Sequence, residues 1–274
     1  MRVFLSCDME GVAGVVDWSQ CRGPATEYET ARRLMVAEVN AAIEGAFDGG
    51  ATEVLVNDSH GLMANLPPDE LDSRVAYLSG KHKPLYMMQG LDESYGAVLF
   101  VGYHGSIGTN GVLSHTYNPR SVYEVRLNGQ VVGEAGVNSL VALAHGVPVA
   151  LVTGDDVTIA ETQAIIPAVE GVVVKEAVTR FSARSLSPSA AREAVRQGAR
   201  RAVGKAPQLG PPPIAQPCAL EVDWLTADMA EMATWVGGVA RTAARTVSIA
   251  SENPLEVFQR FVATVFITRS IVET

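Results

Sequence analysis

Short apolar runs recur along the first 155 residues, each followed by polar residues and glycine. Val3-Phe4-Leu5 lies within Arg2–Asp8, Val54-Leu55-Val56 within Thr52–Asp58, Val98-Leu99-Phe100-Val101 within Gly96–Tyr103, and Val149-Ala150-Leu151-Val152 within Val147–Thr153. Unbroken runs of this length suit strands buried on both faces, as in parallel sheets. Between the first two, Glu27–Gly49 repeats apolar residues at helical spacing (Ala31, Leu34, Met35, Val39, Ala42, Ile43, Ala46) and stops at Gly49-Gly50. Glu134–His145 and Thr158–Ile166, the latter halted by Pro167, also read as helices. This order predicts an α/β fold, a mostly parallel sheet flanked by helices with a Rossmann-like core. Val122–Val132, with Asn128-Gly129 at its centre, reads as a hairpin.

The remainder changes character. Ser187–Val203 reads as a helix capped by Ser187, with Pro188 in its first turn. Gly204–Pro217, which includes Pro211-Pro212-Pro213, is a linker or a rigid surface loop. Beyond it, Cys218–Asp223 and Thr246–Ser251 read as strands, Ala227–Thr234 as a short helix and Pro254–Phe266 as a closing helix. The expected organisation is a main α/β domain over residues 1–204 and a smaller α+β part over 205–274, packed with the first and serving assembly.

Polar residues gather where the apolar runs end. The first run closes in Asp8-Met9-Glu10-Gly11, the second in Asn57-Asp58-Ser59-His60-Gly61, and the third in Gly102-Tyr103-His104-Gly105. The hairpin gives way at Gly133-Glu134 to a helix. Side chains alternate along a strand, so Asp8 and Glu10 project the same way. Two carboxylates so placed repel unless a cation or a shared proton lies between them. Ligands of open α/β sheets bind beyond the carboxyl ends of the strands, which is where Asp8, Glu10, His60, His104 and Glu134 would meet. Carboxylates and imidazoles suit Zn²⁺, with Mn²⁺ or Co²⁺ as alternatives. Five ligands exceed what one catalytic zinc needs. Asp8 is therefore expected to bridge two ions, with Glu10 and Glu134 on one and the histidines on the other. Asp58 and Ser59 are candidates to orient His60 through its other ring nitrogen. Asn138, one helical turn beyond Glu134, is a candidate for substrate contact. Asp155-Asp156 read as a helix cap.

A formal net charge of −9 argues against nucleic acid, whose phosphates need clustered positive charge. Arg192, Arg196, Arg200 and Arg201 read as the solvated face of a helix. Cys7, Cys21 and Cys218 share no short spacing, which leaves no disulfide framework or CxxC zinc site, and Cys7 reads as a buried filler. The run after Arg2 is too short for a signal-peptide core, and no stretch approaches the ~18 apolar residues of a membrane span. The expectation is a cytoplasmic protein with no membrane partner.

CDMEGVAG (7–14), VNDSHG (56–61), GYHG (102–105), SHT (114–116), GEAGVN (133–138) and VTGDD (152–156) together resemble, in order, the M55 peptidase family of D-aminopeptidases. The resemblance covers about the first 160 residues and is looser in the last third. It implies a metallo-aminopeptidase with two zinc ions per subunit, held by Asp8, Glu10, His60, His104 and Glu134. It also implies a catalytic role for His115, short peptides as substrates, and a homo-oligomer in the form of a decameric ring. A dinuclear phosphoesterase would use the same ligand set but want Arg or Lys near the metals, and no basic residue lies within the ligand motifs. A non-catalytic, metal-braced assembly protein would more often use a closed, cysteine-rich shell.

Overall fold

The computed structural model describes residues 1–272. Strand β1 (Arg2–Cys7) is followed by a loop and helix α1 (Thr26–Asp48), then β2 (Glu53–Asp58), β3 (Ala76–Leu78) and β4 (Ala97–Val101). A hairpin of β5 (Val122–Leu127) and β6 (Gln130–Val131) leads into α2 (Glu134–Ala144), β7 (Val149–Asp155) and α3 (Asp156–Ile165). Next come β8 (Glu170–Thr179), β9 (Ser182–Ser185) and α4 (Pro188–Lys205). Strand β10 (Cys218–Trp224), α5 (Ala227–Ala233), β11 (Val239–Arg241), β12 (Thr246–Ser251) and α6 (Pro254–Arg269) complete the chain.

A seven-stranded sheet has the order β3-β2-β1-β4-β7-β8-β9. All its pairings are parallel except the terminal β8–β9 hairpin. This is the mostly parallel α/β sheet expected from the apolar runs: β4 is buried at every position and β1 at all but its first. A second sheet of five strands, β11-β12-β10-β5-β6, is antiparallel. The hairpin from the middle of the chain thus pairs with a strand from beyond the proline-rich segment.

Two hydrophobic cores sandwich the large sheet. On one face Val3, Leu5, Leu99 and Val101 meet α1 and α4 through Met35, Ile43, Val195 and Ala199. On the other, Phe4, Val98 and Phe100 join one continuous cluster with Leu140 of α2, Trp224 and Val222 of the second sheet, and Phe258 and Phe261 of α6. The two sheets therefore share a core. Caps fall where short polar side chains satisfy orphan helix N–H groups: Asp155 accepts from Thr158 N, Ser187 from Ala190 N and Asn253 from Leu255 N. Of the arginines assigned to a solvated helix face, Arg196 pairs with Glu44 and Asp48, and Arg201 with Glu170.

Candidate functional site

Strand β1 lies between β2 and β4, and the chain winds outward from it in opposite directions, through β2 and β3 on one side and β4 and β7 on the other. Such a reversal leaves a crevice beyond the strands' carboxyl ends. Asp8 and Glu10 leave β1, His60 follows β2 and His104 follows β4, all toward that crevice. Glu134 opens α2, where a helix N-terminus favours an anion. Close approach is enforced by glycine: a Cβ on Gly11 would overlap the Tyr103 carbonyl oxygen, and Gly11 N donates to Gly102 O at 2.8 Å.

The structure brings the five expected residues together with His115, all buried. His60 Nδ1 lies 3.0 Å from Asp8 Oδ1 and 2.9 Å from Glu10 Oε2. His104 Nε2 lies 3.4 Å from both Asp8 Oδ2 and Glu134 Oε1, and His115 Nε2 is 3.8 Å from Glu134 Oε1. Asp8 therefore reaches both halves of the cluster, one oxygen to each. The halves differ from the expected partition. Glu10 and His60 group with Cys21 on one side, Glu134 groups with His104 and His115 on the other, and Asp8 with Glu10 and His104 spans the middle. Strand order is the reason. His60 and His104 leave β2 and β4, which flank β1 and so stand two strand spacings apart, about 10 Å, and one imidazole falls on each side of Asp8.

Each histidine donates one ring N–H to a backbone carbonyl: His60 Nε2 to Cys21 O (2.8 Å), His104 Nδ1 to Gly105 O (3.0 Å) and His115 Nδ1 to Leu113 O (2.9 Å). A carbonyl only accepts, so these nitrogens carry hydrogen. In the neutral rings the opposite nitrogens then aim lone pairs at carboxylate oxygens, which have no hydrogen to offer. Buried His104 Nε2 and Glu10 Oε2 complete no hydrogen bond. Such a cluster needs positive charge, either as protons on the rings or as bound cations. Burial opposes charge on His60 and His104, but Glu10 and Asp8 around the first, and Glu134 and Asp8 around the second, hold both pKa values well above the usual imidazole range. Burial likewise opposes ionisation of Asp8, yet the bonds to His104 and His60 hold it well below the usual carboxylate range. Oxygen and imidazole donors, each ring fixed through its far nitrogen, form the set that zinc and similar divalent cations take. The residues fit such ions.

A protein-family model for the M55 peptidases, described as D-aminopeptidase, matches residues 1–263. The chain belongs to the M55 D-aminopeptidase family. A D-aminopeptidase of Bacillus subtilis (strain 168) is 34% identical over 262 residues, covering 94% of each chain. The solved structure of DppA from Bacillus subtilis, described as a Zn-dependent D-aminopeptidase and a self-compartmentalizing protease, superposes with a TM-score of 0.93 at 32% identity, over 98% of both chains.

Strained backbone flanks the Ser114-His115-Thr116 segment. Leu113 (φ 52°) and Tyr117 (φ 59°) bracket His115, and Tyr86 (φ 49°) stacks on Tyr117 at 5.4 Å. Left-handed φ in bulky residues costs of order 1–3 kcal/mol each and persists where the surroundings over-determine it. Here it directs Leu113 O at His115 and Tyr117 N at Glu134 Oε1 (2.7 Å). His115 stacks on His104 at 4.0 Å with an 8° interplanar angle and meets the edge of Trp18 at 5.3 Å. Burial and the neighbouring His104 lower its pKa.

Two expectations are corrected. Asp58 and Ser59 do not orient His60. Asp58 accepts from Asn65 N, Asn65 Nδ2 and Leu66 N, while Ser59 bonds Ser6 and backbone carbonyls. The carbonyl of Cys21, distant in sequence, takes that role. Asn138 bridges the hydroxyls of Tyr117 and Tyr103, a fully buried brace rather than a substrate contact. Asp155 is the cap it was expected to be, and Cys7 is a buried filler within β1. Lys175 on β8 is a contributor with no motif. Fully buried, it donates to Glu10 O (2.5 Å), Val12 O (3.0 Å) and Val15 O (2.6 Å), holding the loop that carries Glu10.

The site opens into a cavity of about 640 Å³, lined near the cluster by Trp18, Cys21, Tyr86 and Tyr117.

Proposed function

We propose that this chain is a dinuclear zinc-dependent aminopeptidase that removes the N-terminal residue of short peptides, with D-alanine-type N-termini preferred. The observation that carries this reading is the convergence of three backbone-pinned imidazoles and three carboxylates at the sheet's switch point. Family membership and the D-aminopeptidase of Bacillus subtilis support the choice of reaction. Asp8, Glu10 and His60 would hold one ion, and Asp8, His104 and Glu134 the other, as the distances between them suggest, with Mn²⁺ or Co²⁺ as substitutes. A loaded pair supplies a nucleophile from water at near-neutral pH and an electrophile for the scissile carbonyl.

The chain's own groups do the rest. Asp8 keeps the two halves at fixed separation, one oxygen turned to each. Tyr117 N–H holds Glu134 Oε1 in place. Trp18 and Tyr86 wall the cavity against bulk water. His115 is the assigned catalytic residue. Its Nδ1–H is committed to Leu113 O, so Nε2 is the atom free to carry a proton to the leaving amine or steady the oxyanion. Such a group contributes 10²–10⁴-fold. His115→Ala should therefore lower kcat by about 100-fold or more while the chain retains both metals by elemental analysis. Loss of a metal instead would make His115 a ligand.

A phosphoesterase is not favoured: the family and the relative are D-aminopeptidases, and among the described residues no lysine or arginine of the cavity pairs with Asp8, Glu10 or Glu134, whose charged partners are all histidines. This reading includes assembly into a ring of identical chains with 205–274 as an assembly part, consistent with Trp235 standing 70% exposed. It also includes a cytoplasmic location, which three unpaired cysteines fit. No helix among the described residues is long and apolar enough to cross a membrane. The deciding experiment is metal analysis combined with a panel of D- and L-aminoacyl peptides, with and without chelator. Hydrolysis of D-alanyl substrates that chelator abolishes and zinc restores is the expected result; metal without turnover of any peptide overturns it.

A further inference from the structure

The cavity has two electrical ends. Asp8, Glu10 and Glu134 lie together at the metal cluster, whereas the other charged residues on its wall are all cations: Arg22, Lys81, Arg120 and Arg269. In a chain of formal charge −9, a wall with four cations and no acid beyond the cluster is a local inversion. Among the described residues, none of the four has a carboxylate within ion-pair distance.

Lys81 and Arg269 are the more unusual pair, because both line the cavity and the charge of Arg269 acts on Lys81. Lys81 is half-buried, and burial together with Arg269 lowers its pKa to about 8. Tyr86 links them: Lys81 Nζ is 6.0 Å from its ring centroid, and Phe266, about one helical turn before Arg269 on α6, meets the same ring at 5.4 Å. A solvated surface arginine needs no partner. A part-buried ammonium beside a second cation is costly unless an anion joins them. Tyr86 also fixes their place relative to the chemistry, for its ring stacks on Tyr117, whose N–H bonds Glu134. Two aromatic side chains thus separate the cluster from the cation pair, a gap that a few residues of extended chain at roughly 3.3–3.6 Å each would cross. Elsewhere on the lining Arg22 lies over Trp18 at 5.0 Å, and Trp18 meets His115.

We infer that Lys81 and Arg269 form a carboxylate-binding subsite at the mouth of the cavity, which selects di- and tripeptides with a free C-terminal carboxylate. The inference rests on the peptidase reading above and adds what determines substrate length. With the amino end at the cluster, a short peptide lays its terminal carboxylate on the cations. A longer or amidated chain leaves them unpaired.

The test uses the zinc-loaded enzyme and four substrates: D-Ala-Gly-Gly, its C-terminal amide, the amide of D-Ala-Gly-Glu, and D-alanine p-nitroanilide. The last lacks any carboxylate and reports whether aminopeptidase chemistry is present at all; no turnover there or on the peptides overturns the peptidase reading itself. With turnover present, the free acid should exceed its amide in kcat/KM by about tenfold or more, mainly through KM, as loss of a charge-assisted pair implies. In the double variant Lys81→Met/Arg269→Gln that ratio should fall to near one, whatever the absolute rates. Equal rates on acid and amide in the unaltered enzyme would overturn the subsite alone, without recourse to any variant. So would an undiminished ratio in a double variant that melts like the parent. Recovery of the rate by the glutamyl amide would assign the anion to a side chain and overturn the terminal-carboxylate assignment.

Discussion

Glu38 shows how one buried side chain sets a pH dependence of the fold. It lies on α1 with one oxygen accepting from Ala13 N at 2.9 Å and the other buried without a partner. Burial raises its pKa from 4.5 to about 7, against the Ala13 hydrogen bond and the charges of Lys175 and Arg192. A carboxyl whose folded pKa exceeds its unfolded one stabilises the fold in its protonated form. That contribution is complete below pH 4.5 and is lost as pH rises toward 7, a change of about 3 kcal/mol. Glu38→Gln keeps an acceptor for Ala13 and carries no charge. In chelator-treated protein it should melt with the parent near pH 4.5 and roughly 5–10 °C above it at pH 8. Equal melting temperatures at pH 8 would show that Glu38 is not buried as a charge. At this scale the members of the cluster were legible in the sequence, because Asp8, Glu10, His60 and His104 each interrupt or follow an apolar run. Their second bonds were not, since the carbonyls of Cys21, Gly105 and Leu113 belong to the main chain and any residue supplies one.

Among the elements, β1, β2, β4 and β7 were readable as continuous apolar runs, and α1, α2, α4 and α6 as periodic ones with caps or glycine stops. Four strands escaped. Strands β3 and β11 are three residues long, β9 (Ser182–Ser185) is short and polar, and β8 carries Lys175 and Glu176 where a buried strand would be expected to stay apolar. Strand order also escaped, because pairing joins residues far apart in sequence, and with it went the way the cluster divides into two halves. Lys175 itself does structural work across β8 and the β1 exit loop. Lys175→Met preserves apolar length but leaves three carbonyls without their donor, at about 1–3 kcal/mol for each one that water does not reach. The freed loop carries Glu10 and leads on toward Cys21, both on the His60 side. Metal content should therefore fall from two ions per chain toward one, with the fold retained by circular dichroism. Full metal content in that variant would show the loop to be held by other means.

For the whole molecule, ligands that bind the folded chain and not the unfolded one raise its stability by mass action. Chelator should accordingly lower the melting temperature, and added zinc should restore it in a concentration-dependent way. The two sheets meet through one hydrophobic cluster, with Phe100 from the parallel sheet and Trp224 from the antiparallel one in the same core. Asp8 and His104 ride on the former, while Glu134 follows the hairpin of the latter. A slide of one layer past the other would shift Glu134 against His104, now 3.4 Å apart, and leave the ladders within each sheet intact. On heating, catalysis should therefore fail several degrees before circular dichroism registers any melting, and the temperature at which this protein stops working would measure the grip between its layers rather than the strength of either.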